Sequence, residues 1–208
     1  PSIRKSSVST QCSIIASRLT VLKVAGTLTT DGILHNWANI KPIIMEEWKE
    51  NRDDLIELFG KIRDEWISSD FLTWIASNRF YPGVSEALMF ASSKIYIVTT
   101  KQSRFADALL RELAGVIIPS DRLYGLGSGP KVDVLKKLQS DPNHKDLTLH
   151  FVEDRLATLK NVMKENELDK WNLYLGDWGY NTRQEREDAK GISRIKVIQL
   201  SEFTTKLK

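Results

Sequence analysis

The first hydrophobic pattern of the chain is helical. Between residues 31 and 78, apolar side chains recur every three or four positions, which is typical of amphipathic helices. Asn51 is expected to cap a helix whose first turn carries Asp53 and Asp54, because carboxylates are favourable at a helix N-terminus. We expect Pro42 to kink or divide the preceding helix. The apolar stripes predict two antiparallel helices that bury them against each other.

A second pattern begins at Tyr81, where short apolar runs alternate with helical segments. The β-branched and aromatic run Ile95–Val98 is typical of a buried parallel strand. Alternating strands and helices predict an α/β fold with a Rossmann-like parallel sheet covered by helices on both faces. The predicted strands are 95–98, 116–118, 147–152, 171–175 and 195–200, and the predicted helices are 84–93, 105–113, 132–138, 156–164 and 184–190.

These patterns divide the chain into three parts. Residues 1–30 are an irregular segment, rich in serine and threonine near its start, with one candidate strand at 19–24. Residues 31–80 are predicted to form a small helical cap, and residues 81–208 an α/β core.

Composition narrows the class of protein. Hydrophobic residues make up 41% and charged residues 27% of the 208, which is typical of a globular protein. Since no apolar run reaches the roughly 18 residues of a membrane span, we expect no membrane partner. The net charge of only +3 is spread along the chain, so we expect no nucleic-acid partner either. Cys12 has no cysteine to pair with, which favours a reducing, intracellular compartment.

Hydroxyl groups follow the strand at 95–98. In doubly wound sheets, ligands bind beyond the carboxyl ends of the strands. Thr99 and Thr100 stand at that position, where a hydroxyl can bind a phosphate oxygen. The alternative is that one of them caps the next helix.

Charged residues lie after a later strand and after a later turn of the predicted core. Glu153 and Asp154 directly follow the predicted strand at 147–152, and such oxygen ligands suit Mg²⁺, although Asp154 could instead cap a helix. Lys131 follows a glycine-rich turn and could offset phosphate and carboxylate charge together, or could simply be solvated.

In combination, these residues resemble a known family. The order of a hydrophobic strand with Thr99, then Lys131, then a hydrophobic strand with Glu153 and Asp154 resembles the haloacid dehalogenase (HAD) superfamily of hydrolases. A helical cap before the core fits this resemblance. The stretches RFYPGVSEAL, KIYIVTTKQSRFADALLREL, LYGLGSGPKVDVLKKLQ and LHFVEDRLATLKNV are similar to a plant-type branch of that superfamily.

The resemblance implies Mg²⁺-dependent hydrolysis of a small phosphorylated molecule, as in a phosphatase. It implies that Thr99 binds phosphate and that Lys131 stabilises the phospho-intermediate, so that both are catalytic. It implies that Glu153 and Asp154 hold Mg²⁺. The expected location is the cytoplasm or the plastid stroma.

The chain departs from the family at its first motif, Asp-x-Asp-Gly-Thr/Val, whose first aspartate is the nucleophile. The nearest string is KVAGTL, in which Lys23 and Ala25 replace both acids. Because an aspartyl-phosphate route needs that carboxylate, we expect the chain to be inactive or weakly active. Either the motif is degenerate in a pseudoenzyme, or the chain is a fragment or variant whose motif lies upstream. The start at Pro1 and the composition of residues 1–20 favour the second explanation.

The alternative function is a non-catalytic protein that binds a phosphorylated ligand or a protein partner. The exposure of four tryptophans in the predicted cap would indicate whether the cap binds a protein partner. The sequence does not identify that partner. Their helical spacing predicts that they form a core between the cap helices, whereas an exposed pair would indicate a partner surface. They are Trp37, Trp48, Trp66 and Trp74.

Overall fold

The computed structural model describes residues 30–207. These residues form a mixed α/β fold with nine α-helices and two small parallel sheets. The chain divides into two compact units, Pro1–Lys61 and Ile62–Lys208. The candidate strand at 19–24, including Lys23 and Ala25, lies outside the described residues.

The segment predicted to be helical contains three helices: α1 (Thr30–Glu47), α2 (Arg52–Ser69) and α3 (Phe71–Ala76). The prediction that Asn51 caps a helix is confirmed, because its Oδ1 accepts from the amides of Asp53 and Asp54 at 3.0 and 2.9 Å. Of the two effects expected of Pro42, division of the helix is not observed, since α1 continues through it, and the kink stays a prediction.

The predicted burial of the apolar stripes is not observed. Trp37 on α1 and Phe59 on α2 are 49% and 55% exposed. Of residues 36–61, only Gly60 is buried. Among the cap tryptophans, Trp74 is buried and Trp48 half-buried, whereas Trp66 is exposed like Trp37. Helical spacing therefore identified the helices, but it did not identify a partner for their apolar faces.

The core contains six helices and five strands. Strands β1 (Ile97–Val98) and β2 (Leu123–Tyr124) form one parallel sheet, with Ile97 opposite Leu123. Strands β3, β4 and β5 form a second parallel sheet in that order, with Phe151 opposite Leu173 and Leu173 opposite Ile195. Their bounds are β3 His150–Glu153, β4 Asn172–Gly176 and β5 Ile195–Ile198. The helices are α4 Val84–Met89, α5 Ser103–Ala114, α6 Lys131–Ser140, α7 Leu156–Met163, α8 Arg183–Lys190 and α9 Leu200–Leu207.

Two predicted strands differ from the structure. The run at 116–118 is not a strand but a loop after Gly115, which ends α5 with a left-handed φ of 65°. Ile118 is buried from this loop without strand pairing, and the strand comes later, as β2. The last predicted strand ends at Ile198, and Leu200 starts α9, which the sequence analysis did not predict.

A single hydrophobic core joins the two sheets. Its buried residues include Phe151, Leu173 and Ile195 on β3, β4 and β5. Tyr96 and Val98 of the β1 segment pack against the same core, as does Tyr124 of β2. A smaller cluster of Trp74, Phe105 and Leu109 packs α3 against α5. Among the described residues, none of the helices combines the length and hydrophobicity of a membrane span.

Candidate functional site

Thr99 is fixed at the carboxyl end of β1. Its backbone amide donates to the Tyr124 carbonyl at 2.8 Å, which continues the pairing with β2. Its Oγ1 accepts from the Lys101 amide at 3.1 Å, so the hydroxyl proton is left to donate. Helix α5 has Gln102 as its N-cap, with no side-chain capping bond. Neither Thr99 nor Thr100 therefore serves as the cap of α5.

The turn after β2 lies against the turn after β1 because Gly125 has no side chain. A Cβ at Gly125 would lie 2.5 Å from the Ser103 amide nitrogen and 2.8 Å from the Lys101 carbonyl oxygen. The Leu126 amide donates to that same carbonyl at 2.9 Å. Since residues 125–130 lead into α6, this close approach ties the Thr99 turn to the segment that carries Lys131.

Lys131 is the first residue of α6 and pairs with the end of β3. Its Nζ lies 2.5 Å from Glu153 Oε2, and the two side chains are 24% and 3% exposed. The solvated alternative for Lys131 is therefore excluded. Burial raises the pKa of the Glu153 carboxyl, the Lys131 ammonium opposes that rise, and the Asp154 carboxyl adds to it.

Asp154 is enclosed by the turn after β4. Its Oδ2 accepts from the Tyr180 amide at 2.9 Å, and its backbone carbonyl accepts from Asn181 Nδ2 at 2.8 Å. A Cβ at Gly179 would lie 2.2 Å from the Asp154 Cβ, so only glycine permits this approach. Asp154 thus receives its hydrogen bonds from the neighbouring strand's turn.

Asn181 is a positioning residue that the sequence analysis did not identify. Its Nδ2 also donates to the Gly176 carbonyl at 2.8 Å, so one amide joins the ends of β3 and β4. Arg186 Nη1 donates to Asn181 Oδ1 at 2.8 Å and fixes the amide orientation. The available signal was its place, six residues after the predicted strand at 171–175, on the side of the sheet where ligands of doubly wound sheets bind.

Of the two predicted Mg²⁺ ligands, Glu153 is already engaged by other groups of the chain. Glu153 uses Oε2 for Lys131 and Oε1 for the Arg155 amide, which donates at 3.1 Å. That leaves Asp154 as the carboxylate of this pair that could reach a Mg²⁺ ion, which commonly takes one or two carboxylates together with substrate phosphate oxygens and waters. Within residues 30–207, no three His, Cys, Asp or Glu side chains form a group that could hold a metal. The metal-binding roles of Glu153 and Asp154 stay predictions from the resemblance.

The structure therefore connects most of the predicted site residues. Lys131 contacts Glu153 directly, and Asp154 follows Glu153 in the chain. Thr99 is joined to the segment before Lys131 through the paired turns. Thr100 is exposed. Comparison with protein-family models, with curated proteins and with solved structures gives no match to this chain.

Proposed function

We propose that the chain is a HAD-like protein that binds a small phosphorylated molecule at Thr99 and Lys131 and hydrolyses it weakly or not at all. The observation that carries this proposal is the arrangement of Thr99, Lys131 and Glu153. A hydroxyl with a free proton and a paired lysine both follow the carboxyl ends of parallel strands. Ligands of α/β sheets bind at this edge.

The donors available in this arrangement suit a phosphate. Thr99 keeps one O–H donor after accepting from the Lys101 amide. The Lys131 ammonium has three donors, of which Glu153 takes one. Two N–H groups and one O–H group therefore remain for phosphate oxygens, and charge-assisted bonds of this kind are strong.

The same proposal includes an arrangement for the two small sheets. We infer that the two small sheets are halves of one doubly wound, Rossmann-like sheet with a helical cap. In support, all the strand pairs are parallel, and both sheets pack against one core through Val98 and Phe151. A strand between β1 and β3 would complete that sheet.

We expect weak or absent hydrolysis because the predicted site lacks an unpaired carboxylate that could act as nucleophile. An aspartyl-phosphate route needs an unpaired carboxylate beside the phosphate. Lys23 and Ala25 supply none, and Glu153 is bound to Lys131 and to the Arg155 amide. A binding role accounts for the remaining donors, and it agrees with the pseudoenzyme alternative.

Phosphate binding is tested by calorimetric titration of the full chain with inorganic phosphate. We expect Thr99→Val to weaken binding roughly tenfold or more, because it removes a hydrogen bond to a charged group. Thr99→Ser keeps the hydroxyl and is expected to bind like the native chain. No binding by the native chain, or equal binding by Thr99→Val, would contradict the proposal.

The inactive state is tested separately with p-nitrophenyl phosphate and Mg²⁺. We expect no turnover above background by the native chain or by Asp154→Asn. Turnover by the native chain that disappears in Asp154→Asn would instead support an active hydrolase. An acid not identified among residues 30–207 would then act as nucleophile.

A further inference from the structure

A second cleft, of about 300 Å³, lies at the amino ends of β1 and β2, whereas the proposed phosphate site lies at their carboxyl ends. Its lining comes from the end of α4, the segment 91–95, the loop 115–119 and Arg122. A Cβ at Gly115 would lie 3.2 Å from the Met89 Cε, so the end of α4 lies against the end of α5. The cleft is therefore formed within the second unit, apart from the residues of the proposed function.

Apolar side chains of this cleft are exposed. Met89 and Ile117 line it and are 51% and 67% exposed, and Phe90, which follows Met89, is 66% exposed. Single exposed apolar side chains are ordinary, but a group of them beside a cleft is typical of a binding surface. The cleft thus offers apolar contacts to a ligand.

The backbone beside these side chains has unused donors. The amides of residues 91–95 and those of Ile117 and Ile118 donate to no group within residues 30–207. Backbone N–H groups are strong donors, and the carbonyls of an extended peptide can accept from them. An alkyl chain has no acceptor to offer. The free amides therefore favour a peptide over a simple apolar molecule.

Arg122 gives the cleft its charge. Among the described residues that line the cleft, it is the one that is charged. Its side chain is half-buried, its Nε is buried without a hydrogen-bond partner, and its guanidinium pairs with no acid in the described part of the chain. The planar guanidinium matches the geometry of a carboxylate. The cleft is thus complementary to an acidic ligand.

We propose that this cleft binds an extended peptide of a partner protein, which places a carboxylate against Arg122 and apolar side chains against Met89 and Ile117. The peptide carbonyls accept from the free amides of the lining. The inference goes beyond the proposed function and does not depend on it, because the two sites lie at opposite ends of β1 and β2.

The test measures the binding of two fluorescein-labelled hexapeptides to the full chain by fluorescence anisotropy at pH 7.5. Both peptides are blocked at their ends. One alternates valine with glutamate and the other alternates valine with glutamine, so the probes match in length and apolar side chains and differ in their carboxylates. We expect the native chain to bind the glutamate probe roughly tenfold more tightly, the effect of a hydrogen bond between charged groups.

Three variants and one control locate this binding. Arg122→Gln should bind both probes alike, whereas Arg122→Lys keeps a cation and should retain part of the preference. Ile117→Ser should weaken both probes severalfold and equally, because it removes an apolar contact that does not depend on charge. Arg183→Gln is the control, since it removes the same charge from the exposed start of α8 and should leave both affinities unchanged.

A native chain that binds neither probe, or both equally, would overturn the inference, as would a preference that survives in Arg122→Gln. Circular dichroism shows whether each variant is folded. If Arg122→Gln does not fold, unchanged affinities in Ile117→Ser would contradict the proposal. Displacement of the glutamate probe by an equal concentration of octanoate would assign the cleft to a small apolar acid and would overturn the peptide.

Discussion

At the scale of single residues, the pair of Lys131 and Glu153 determines the charge of the site. Glu153 is 3% exposed, and burial raises its pKa from the ordinary value of 4.5 despite Lys131. The folded chain thus holds the Glu153 proton to a higher pH than the unfolded chain does. The contribution of this group to stability is full below its unfolded pKa and is lost as the pH rises through its folded pKa.

Lys131→Met should strengthen this pH dependence. Without the ammonium, the buried carboxylate has no counter-charge, so the folded pKa of Glu153 rises further. We expect the variant to lose about 1–3 kcal/mol of unfolding free energy at pH 7.5 and less at pH 5, where Glu153 can be protonated. Urea unfolding followed by circular dichroism at both pH values measures this difference.

Lys136→Met is the matched control on the same helix. Lys136 pairs with Glu165 and Glu167, which are more exposed, so its loss should cost at most about 1 kcal/mol. A Lys131→Met penalty that is the same at both pH values would show that Glu153 does not carry the effect.

At the scale of elements, the start of α8 holds the turn that encloses Asp154. Thr182 and Glu185 form a reciprocal cap: Thr182 Oγ1 accepts from the Glu185 amide at 3.1 Å, and Glu185 Oε2 accepts from the Thr182 amide at 2.8 Å. Asn181, which joins Asp154 to Gly176, immediately precedes this cap. A stable helix start therefore positions a side chain at the site.

We expect Thr182→Ala to lower the unfolding free energy by about 1 kcal/mol, since it leaves the Glu185 amide without its capping acceptor. Thr182→Ser keeps the hydroxyl and should change stability much less. Thermal and urea unfolding of the three proteins provide the comparison. Equal loss in both variants would indicate that the methyl group of Thr182, and not its cap, is important.

At the scale of the whole molecule, burial is concentrated in the second unit. Large buried side chains, from Trp74 to Ile198, all lie between residues 62 and 207, whereas Gly60 is the one buried residue between 36 and 61. Segments with few buried contacts open locally at low free-energy cost. The described part of the first unit should therefore be the more easily cleaved.

Limited trypsin digestion followed by mass spectrometry tests this difference. Within residues 30–207, the first cuts should fall after exposed residues of the segment 36–61, and cuts between 131 and 207 should come later. Earlier cleavage between 131 and 207 would contradict it. The expected first sites are Lys41, Lys49, Arg52 and Lys61.

Strands could be predicted where an apolar run was paired and at least half-buried, as with the half-buried Ile97–Val98 and the buried Phe151 in β3. The same criterion failed at 116–118, because packing buries Ile118 from a loop after the left-handed Gly115. A local hydrophobic pattern predicts that a residue is buried, but it does not predict whether the backbone of that residue pairs with another strand.

The sequence by itself determined the mixed α/β class, most helices and the placement of Thr99, Lys131 and Asp154 after strands or turns, because these depend on periodicity and local order. Glu153, which was expected just after its strand, is the last residue of β3. Only the tertiary structure decided that Lys131 pairs with Glu153 and that Asn181 holds Asp154. It also decided that Trp37 is exposed. These facts depend on residues far apart in the chain, and a local pattern carries no information about which distant groups meet.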